Sequence, residues 1–400
     1  MSEDVWVLGA SMTKITRYPD KDVIDLASEA AMNALGDGGV TIQDMQILAA
    51  GCMFQQGGIG QQIQKQIGQT GIPVYNVLNA CATGATAVRT VYMSIKAGES
   101  DMGIAIGAEQ MGKMGLLGAG GLGRQEKHVF EPGGRYGAVL NVDGHLGSGT
   151  MPAVFGQAGM EYAYEHDGVG FEQFAKVAEK NHAHSALNPL AQYNKVFTLE
   201  EIMEARVISW PNTLPMCCPT GDGGAAVVLV SDSKLKTLSR EQQRRAVKIS
   251  ASVLTSDPWT EGAQVQPDVN TLTRNAANRA YELAGIGPDE LSLVELHDCF
   301  ATAELIHYDN LSLCEPGGAG AFIDARGPWR DGTTPVNVSG GLLSKGHPIA
   351  MTGAAGVYEI ATQLRGEAGD RQIEGANVGL AHVIGLGSAC AIHILEKSAA

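Results

Sequence analysis

The chain has 400 residues, of which 44% are apolar, 18% charged and 52 glycine, with a formal net charge of −15. At roughly 100–200 residues per domain, that length predicts two to four packed units of a compact, turn-rich protein and speaks against a disordered chain. The acidic balance speaks against nonspecific binding to nucleic acid or an anionic membrane, while a local basic patch remains compatible with an anionic small molecule.

In chain order, the acidic start Met1-Ser2-Glu3-Asp4 runs straight into a strand, Val5 to Leu8, which is not the pattern of a signal or transit peptide. Ile24 to Leu35 reads as an amphipathic helix, then a glycine turn and Thr41 to Leu48, a short acidic segment ending in an apolar strand. A strand–helix–strand unit follows over Val74–Asn79, Ala82–Lys96 and Met102–Ala108. Met111 to Trp210 breaks the rhythm with a loop from Met111 to Gly118, a helical stretch from Phe171 to His184 and a polar loop, and is expected to be a lid-like insertion. The strand Ala225 to Val230 returns to the first core. The second half restarts with a strand, Ala246 to Val253, then a helix from Asn275 to Leu283, a glycine turn with Asp289 and Glu290, and a strand reaching Val294. It closes with Val336–Val338, a helix from Met351 to Leu364, Val378–Leu380 and Ala391–Leu395.

The shared order of elements predicts a duplicated α/β fold with sheets covered on both faces. The expected units are residues 1–110 with 211–244, an insertion over 111–210, and a second half over 245–400. No run approaches the roughly 20 apolar residues of a membrane span. Lys397-Ser398-Ala399-Ala400 is not a peroxisomal address. The seven cysteines form no regular framework, and Cys217 and Cys218 are adjacent, so reduced thiols in a cytoplasmic protein are expected.

Cys81 lies where the strand-like Val74 to Asn79 breaks into the helix-like run after Ala82. A helix N-terminus favours thiolate, and such settings lower a thiol from about 8.5 to roughly 3.5–7.5. A buried structural cysteine is the other reading of this segment. Three loops of the second half are candidates to meet it: Leu296 to Phe300, Ser339 to Pro348, and His382 to Ser388. Each lies at the carboxyl end of a strand, where open α/β sheets place their sites. His347, held between Gly346 and Pro348, has a fixed direction, although a lone histidine is more often structural. Cys299 alone reads as buried, Cys217-Cys218 as structural, and His182, His184 and His307 as solvated or capping. His297 and Cys299 are too close to count as metal spacing by themselves, and no Cys-x-x-Cys accompanies them. No Gly-x-Gly-x-x-Gly fingerprint opens a helix after the first strand, so a nicotinamide cofactor is unsupported.

Together, Asn79-Ala80-Cys81-Ala82-Thr83-Gly84, His297-Asp298-Cys299-Phe300 and Gly346-His347-Pro348 resemble the thiolase superfamily, and within it the sterol carrier protein X type. Cys217-Cys218-Pro219-Thr220, Lys180-Asn181-His182 and Leu364-Arg365-Gly366-Glu367 resemble that branch as well. The resemblance implies a thiolase fold, with duplicated βαβαβαββ halves in a five-layer αβαβα core and an inserted loop domain. It implies a homodimer or homotetramer, and coenzyme A thioester chemistry with CoA as substrate and no metal or redox cofactor. It implies Cys81 as nucleophile, His347 as its base, His297 in the thioester oxyanion hole and Cys299 as acid/base. The amides of Cys81 and Gly385 would form a second oxyanion hole, and Phe300 would line the pantetheine tunnel. Where thiolases usually carry Cys-x-Gly, this chain has Val383-Ile384-Gly385, which leaves the acid/base role to Cys299. Ala350 and Met351 are bulkier than the family's usual residues and are expected to reshape the acyl pocket. The leading expectation is a 3-oxoacyl-CoA thiolase of fatty-acid or sterol side-chain degradation. The alternatives are a retro-aldolase or carbon acyltransferase working with a small OB-fold partner, and a non-catalytic acyl-CoA- or sterol-binding protein.

Overall fold

The computed structural model describes residues 3–54, 57–111, 133–134, 137–138, 150–258, 269–386 and 389–398. The expected loop from Met111 to Gly118 lies, apart from Met111, outside these residues, as do Gly387 and Ser388. The first half runs β1 (Val5–Met12), α1 (Val23–Asp37), β2 (Ile47–Gly51), α2 (Ile59–Ile67), β3 (Val74–Asn76), α3 (Thr83–Lys96) and β4 (Met102–Gln110). Two helices follow, α4 (Thr150–Glu165) and α5 (Phe171–Ser185), before the chain returns as β5 (Asp222–Ser231). The second half runs β6 (Val247–Thr255), α6 (Val269–Ala284), β7 (Leu293–Glu295), α7 (Ala301–Asn310), α8 (Thr352–Arg365), β8 (Val378–Gly385) and β9 (Ala389–Lys397).

These strands hydrogen-bond in the order β7-β8-β9-β6-β1-β5-β4-β2-β3. The halves join at β1 and β6 through only two antiparallel pairs, Trp6 with Lys248 and Val7 with Val247. On each side of that seam the pattern repeats: β1-β5-β4-β2 matches β6-β9-β8-β7, with a parallel pair at the far end. In the second half, the place of β3 is taken by a single parallel bridge from Val336 to Val294. The expected strand Val336–Val338 stops there because Asn337 adopts a left-handed φ of 53°. The Asn337 N–H still reaches the Val294 carbonyl at 2.8 Å.

Local sequence explains the layers. Asp22 caps α1 by accepting from the Ile24 and Asp25 amides at 2.8 and 2.9 Å, and Asp25 returns a bond to the Asp22 amide at 3.1 Å. The helix then buries Val23, Ala27, Ala30, Ala31 and Ala34 with Leu8, Val228 and Val230 of the sheet. α8 has no exposed residue and sits at the centre, its Ala354, Val357, Ile360 and Ala361 packing with Ala87, Val88 and Val91 of α3 and both half-sheets. α3 and α8 thus form the middle helical layer, with α1 and α2 outside one half-sheet and α6 and α7 outside the other. Their contact relies on missing side chains. A Cβ on Gly353 would lie 2.3 Å from the Ala85 nitrogen, and one on Gly84 2.5 Å from the Ala350 carbonyl. This approach brings the start of α3, just after Cys81, onto the loop that carries His347.

Ala350 and Met351 are fully buried in this junction. The Ala350 backbone carbonyl faces Gly84 and Gly107, and the Met351 sulfur faces Gly223, so glycines on the facing elements make room for the Ala350 backbone and the Met351 side chain.

Candidate active site

Cys81 sits on a sharp turn between β3 and α3. Ala80 before it holds a left-handed φ of 46°, a conformation costly for a residue with a Cβ and often found at functional sites. The turn closes through Ala82 N–H to the Asn79 carbonyl at 2.9 Å and Thr83 N–H to the Ala80 carbonyl at 3.1 Å. The Thr83 hydroxyl accepts from the Asn79 amide at 3.0 Å. The end of β8 presses on the same turn. A Cβ on Gly385 would lie 2.2 Å from the Asn79 carbonyl oxygen, so only glycine fits there. The amides of Leu386, one residue on, and of Cys81 itself act on the Cys81 sulfur to lower its pKa.

One ring nitrogen each of His297 and His347 and the Cys81 sulfur all lie within 4.8 Å of one another. The two imidazoles meet edge to face, with centroids 5.3 Å apart. Two hydrogen bonds set the His347 tautomer. The Thr352 hydroxyl donates its proton to the Pro348 carbonyl at 3.2 Å, so its oxygen accepts from His347 Nδ1–H at 2.7 Å. Nε2 of His347 therefore carries the free lone pair. Burial holds His347 at about 3, and so neutral at pH 7. Burial also holds His297 well below the usual imidazole value, and the neighbouring His347, His382 and His307 add to the effect.

The thiolate expected from the helix terminus is not the resting state. Burial pushes the Cys81 thiol up to about 12; bonds from its own amide and that of Leu386 only partly offset this, and the Glu109 charge opposes them. The resting pair is a neutral thiol beside a neutral imidazole.

Cys299 is buried beside this pair. Burial raises its thiol well above the ordinary value, and Cys218, Cys81 and Asp298 raise it further. Its carbonyl accepts from Cys218 N–H at 2.9 Å, and Cys217 bridges Phe300 in antiparallel fashion, so the vicinal pair props the loop from His297 to Phe300. All seven cysteines are free. Phe300 is buried and stacks on Phe155 of α4, with centroids 5.5 Å apart.

Histidines 182, 184 and 307 are buried, not solvated or capping. His182 and His184 lie in the last turn of α5, and both bond the second half. His182 Nδ1 meets Ser344 Oγ at 3.0 Å, and His184 Nδ1 meets the Asn337 carbonyl at 3.0 Å. Beside them, Asn181 donates to Asp298 at 2.8 Å and to Glu304 at 2.6 Å. Lys180, fully buried, pairs with Glu304 at 2.7 Å. Asp298 accepts from the Leu342 and Leu343 amides at 2.7 and 3.2 Å, tying the His297 loop to the loop that leads to His347. Sequence reasoning assigned no role to Thr352 or Asp298. The only signal was their position, five residues after His347 and next to His297.

The model of the thiolase N-terminal domain matches residues 5–203, and the thiolase C-terminal domain-like model matches residues 259–397. This chain belongs to the thiolase family. It is 37% identical to sterol carrier protein 2 of Rattus norvegicus over 97% of this chain and 71% of that protein. It is 33% identical to an acetyl-CoA acetyltransferase of Methanothermobacter thermautotrophicus over 98% of this chain and all of the relative. Among solved structures, it resembles the Ltp2-ChsH2(DUF35) aldolase with a TM-score of 0.79 and 20% identity, covering 100% and 99% of the two chains. It also resembles human mitochondrial 3-ketoacyl-CoA thiolase in complex with CoA, with a TM-score of 0.70 and 17% identity, covering 99% and 98%. These two structural likenesses concern the fold. Among the described residues, no helix of this thiolase-family chain is long and apolar enough to cross a membrane.

Proposed function

We propose that the chain is a thiolase that cleaves a 3-oxoacyl-CoA with free CoA, giving a shortened acyl-CoA and acetyl- or propionyl-CoA. The convergence of Cys81, His297 and His347 within 4.8 Å, on a thiolase-family chain, carries this reading. In it, His347 Nε2 takes the thiol proton as the Cys81 sulfur attacks the 3-keto carbon. The bond between C2 and C3 then breaks. Its electron pair goes to the departing thioester enolate, whose oxygen His297 and His347 stabilise by hydrogen bonding, and Cys299 delivers a proton to C2. The acyl group remains on Cys81, with its carbonyl oxygen at the amides of Cys81 and Gly385. The CoA thiol attacks that carbonyl, loses its proton to the site and regenerates the Cys81 thiol. The insertion over 111–210 supports the site in this reading, through Phe155 and the Lys180 to Ser185 stretch.

A retro-aldol reaction with an OB-fold partner is a different reading, and it needs no acyl-enzyme. The complete set of Cys81, His347 and Cys299 favours thiolysis. Purified protein with acetoacetyl-CoA or longer 3-oxoacyl-CoAs and free CoA is expected to release acetyl-CoA, with Cys81→Ala inactive. Cleavage that persists in Cys81→Ala, or that requires no CoA, overturns the reading.

A further inference from the structure

The same three side chains suit another ligand. Among the described residues, Cys81, His297 and His347 are the one group of three sulfur, imidazole or carboxylate ligands gathered closely enough to share a metal ion. One thiol and two imidazoles are the donor types that a borderline-soft divalent cation prefers. Zinc bonds of about 2.3 Å to sulfur and about 2.0–2.1 Å to nitrogen in a tetrahedron require donors roughly 3.3–3.6 Å apart. The present separations, at most 4.8 Å, exceed that by no more than roughly 1.2–1.5 Å. Two further observations point to a ligand. Nδ1 of His347 is engaged by Thr352, the outer-shell arrangement that orients a ligating histidine and leaves its Nε2 lone pair free. His297, which is 2% exposed, has an Nδ1 with no hydrogen-bond partner among the described residues.

We infer that Cys81, His297 and His347 form a three-ligand site for a divalent cation such as zinc, which occupies the nucleophile and excludes the acyl thioester. On binding, the Cys81 S–H bond breaks, a zinc–sulfur bond forms, the proton passes to solvent, and a water completes the tetrahedron. No electron changes hands. Binding rests on the geometry alone. Its consequence, reversible inhibition, rests on the function proposed above.

The test uses the purified full chain after chelator treatment, with Zn2+ and Co2+ as probes. Zinc titration by calorimetry in two buffers of different ionisation enthalpy is expected to show one ion per chain and release of about one proton. Zn2+ is expected to block alkylation of Cys81 by iodoacetamide, and EDTA to restore it. Co2+ is expected to give a thiolate-to-cobalt charge-transfer band in the near ultraviolet that Cys81→Ser removes. Thr352→Val is expected to weaken Zn2+ affinity by about 10–100-fold, the usual loss on removing an outer-shell partner. Unprotected alkylation of the wild-type Cys81 at saturating Zn2+, a result that needs no variant to fold, overturns the inference. So does a cobalt band unchanged in Cys81→Ser. Neither readout needs turnover. Protection and a cobalt band without thiolysis defeat the proposed function alone, and thiolysis without protection defeats the zinc site alone.

Discussion

At the scale of single residues, the site works from neutral partners. In the proposed mechanism, a thiol held at about 12 and an imidazole held at about 3 exchange a proton only as the sulfur attacks, so the tautomer of His347 matters more than its charge. Thr352 fixes that tautomer. Thr352→Val is expected to lower kcat by about 2–10-fold with little change in KM, the worth of one net hydrogen bond of roughly 0.5–1.5 kcal/mol. Thr352→Ser should restore the rate. Steady-state kinetics of both variants decide it, and an unchanged kcat in the valine variant contradicts the role. Cys299→Ala is expected to keep acyl capture at Cys81 from a simple acyl-CoA while losing about 10²–10⁴-fold in thiolysis, as for a lost acid/base. Near-normal thiolysis in that variant would give the proton to another group.

Elements place these residues, and here close backbone approach decides. Gly353→Ala puts a methyl 2.3 Å from the Ala85 nitrogen. It is expected to cost roughly 1–3 kcal/mol as overpacking between α3 and α8. Urea unfolding would show this as a lower midpoint at unchanged slope, and an unchanged midpoint would mean that the helices yield. Much of this level was legible. Apolar runs broken by glycine turns announced β1, α1, β4 and α8, and the break after Asn79 announced the turn that presents Cys81. α4 was not legible, because Thr150 to Glu165 mixes Gly156, Gly159, Met151 and Met160 without a clean helical stripe. Nor was the burial of His182 and His184, whose partners Ser344 and Asn337 lie about 150–160 residues away in the chain. The Cys81 thiol misled for a related reason. A helix terminus can be read from sequence, whereas the desolvation that outweighs it depends on the packed surroundings.

For the whole molecule, the buried histidines imply acid lability. Away from the reacting pair, burial lowers His182, His184 and His382, and holds His307 at about 3 and His393 at about 4. The unfolded chain takes up protons on these groups near 6.5 and the folded chain does not. Their contribution is therefore fully present above about 6.5 and is lost as pH falls from there toward about 4. Glu109, Glu295 and Asp298, raised by burial, act in the opposite direction. With five such histidines against three carboxyls, the melting temperature is expected to fall steadily between pH 7 and pH 5. A melting temperature that rises over that interval would give the carboxyls the larger share.

The central claim is that Cys81 carries the acyl group. Brief incubation with acetyl-CoA or acetoacetyl-CoA, acid quench and peptide mass spectrometry locate it directly. The account predicts an added acetyl group of about 42 Da on the peptide containing Cys81, absent in Cys81→Ala and discharged by free CoA. An acyl group on Cys218, Cys299 or Cys314 with Cys81 unmodified, in protein that is turning over substrate, would contradict it.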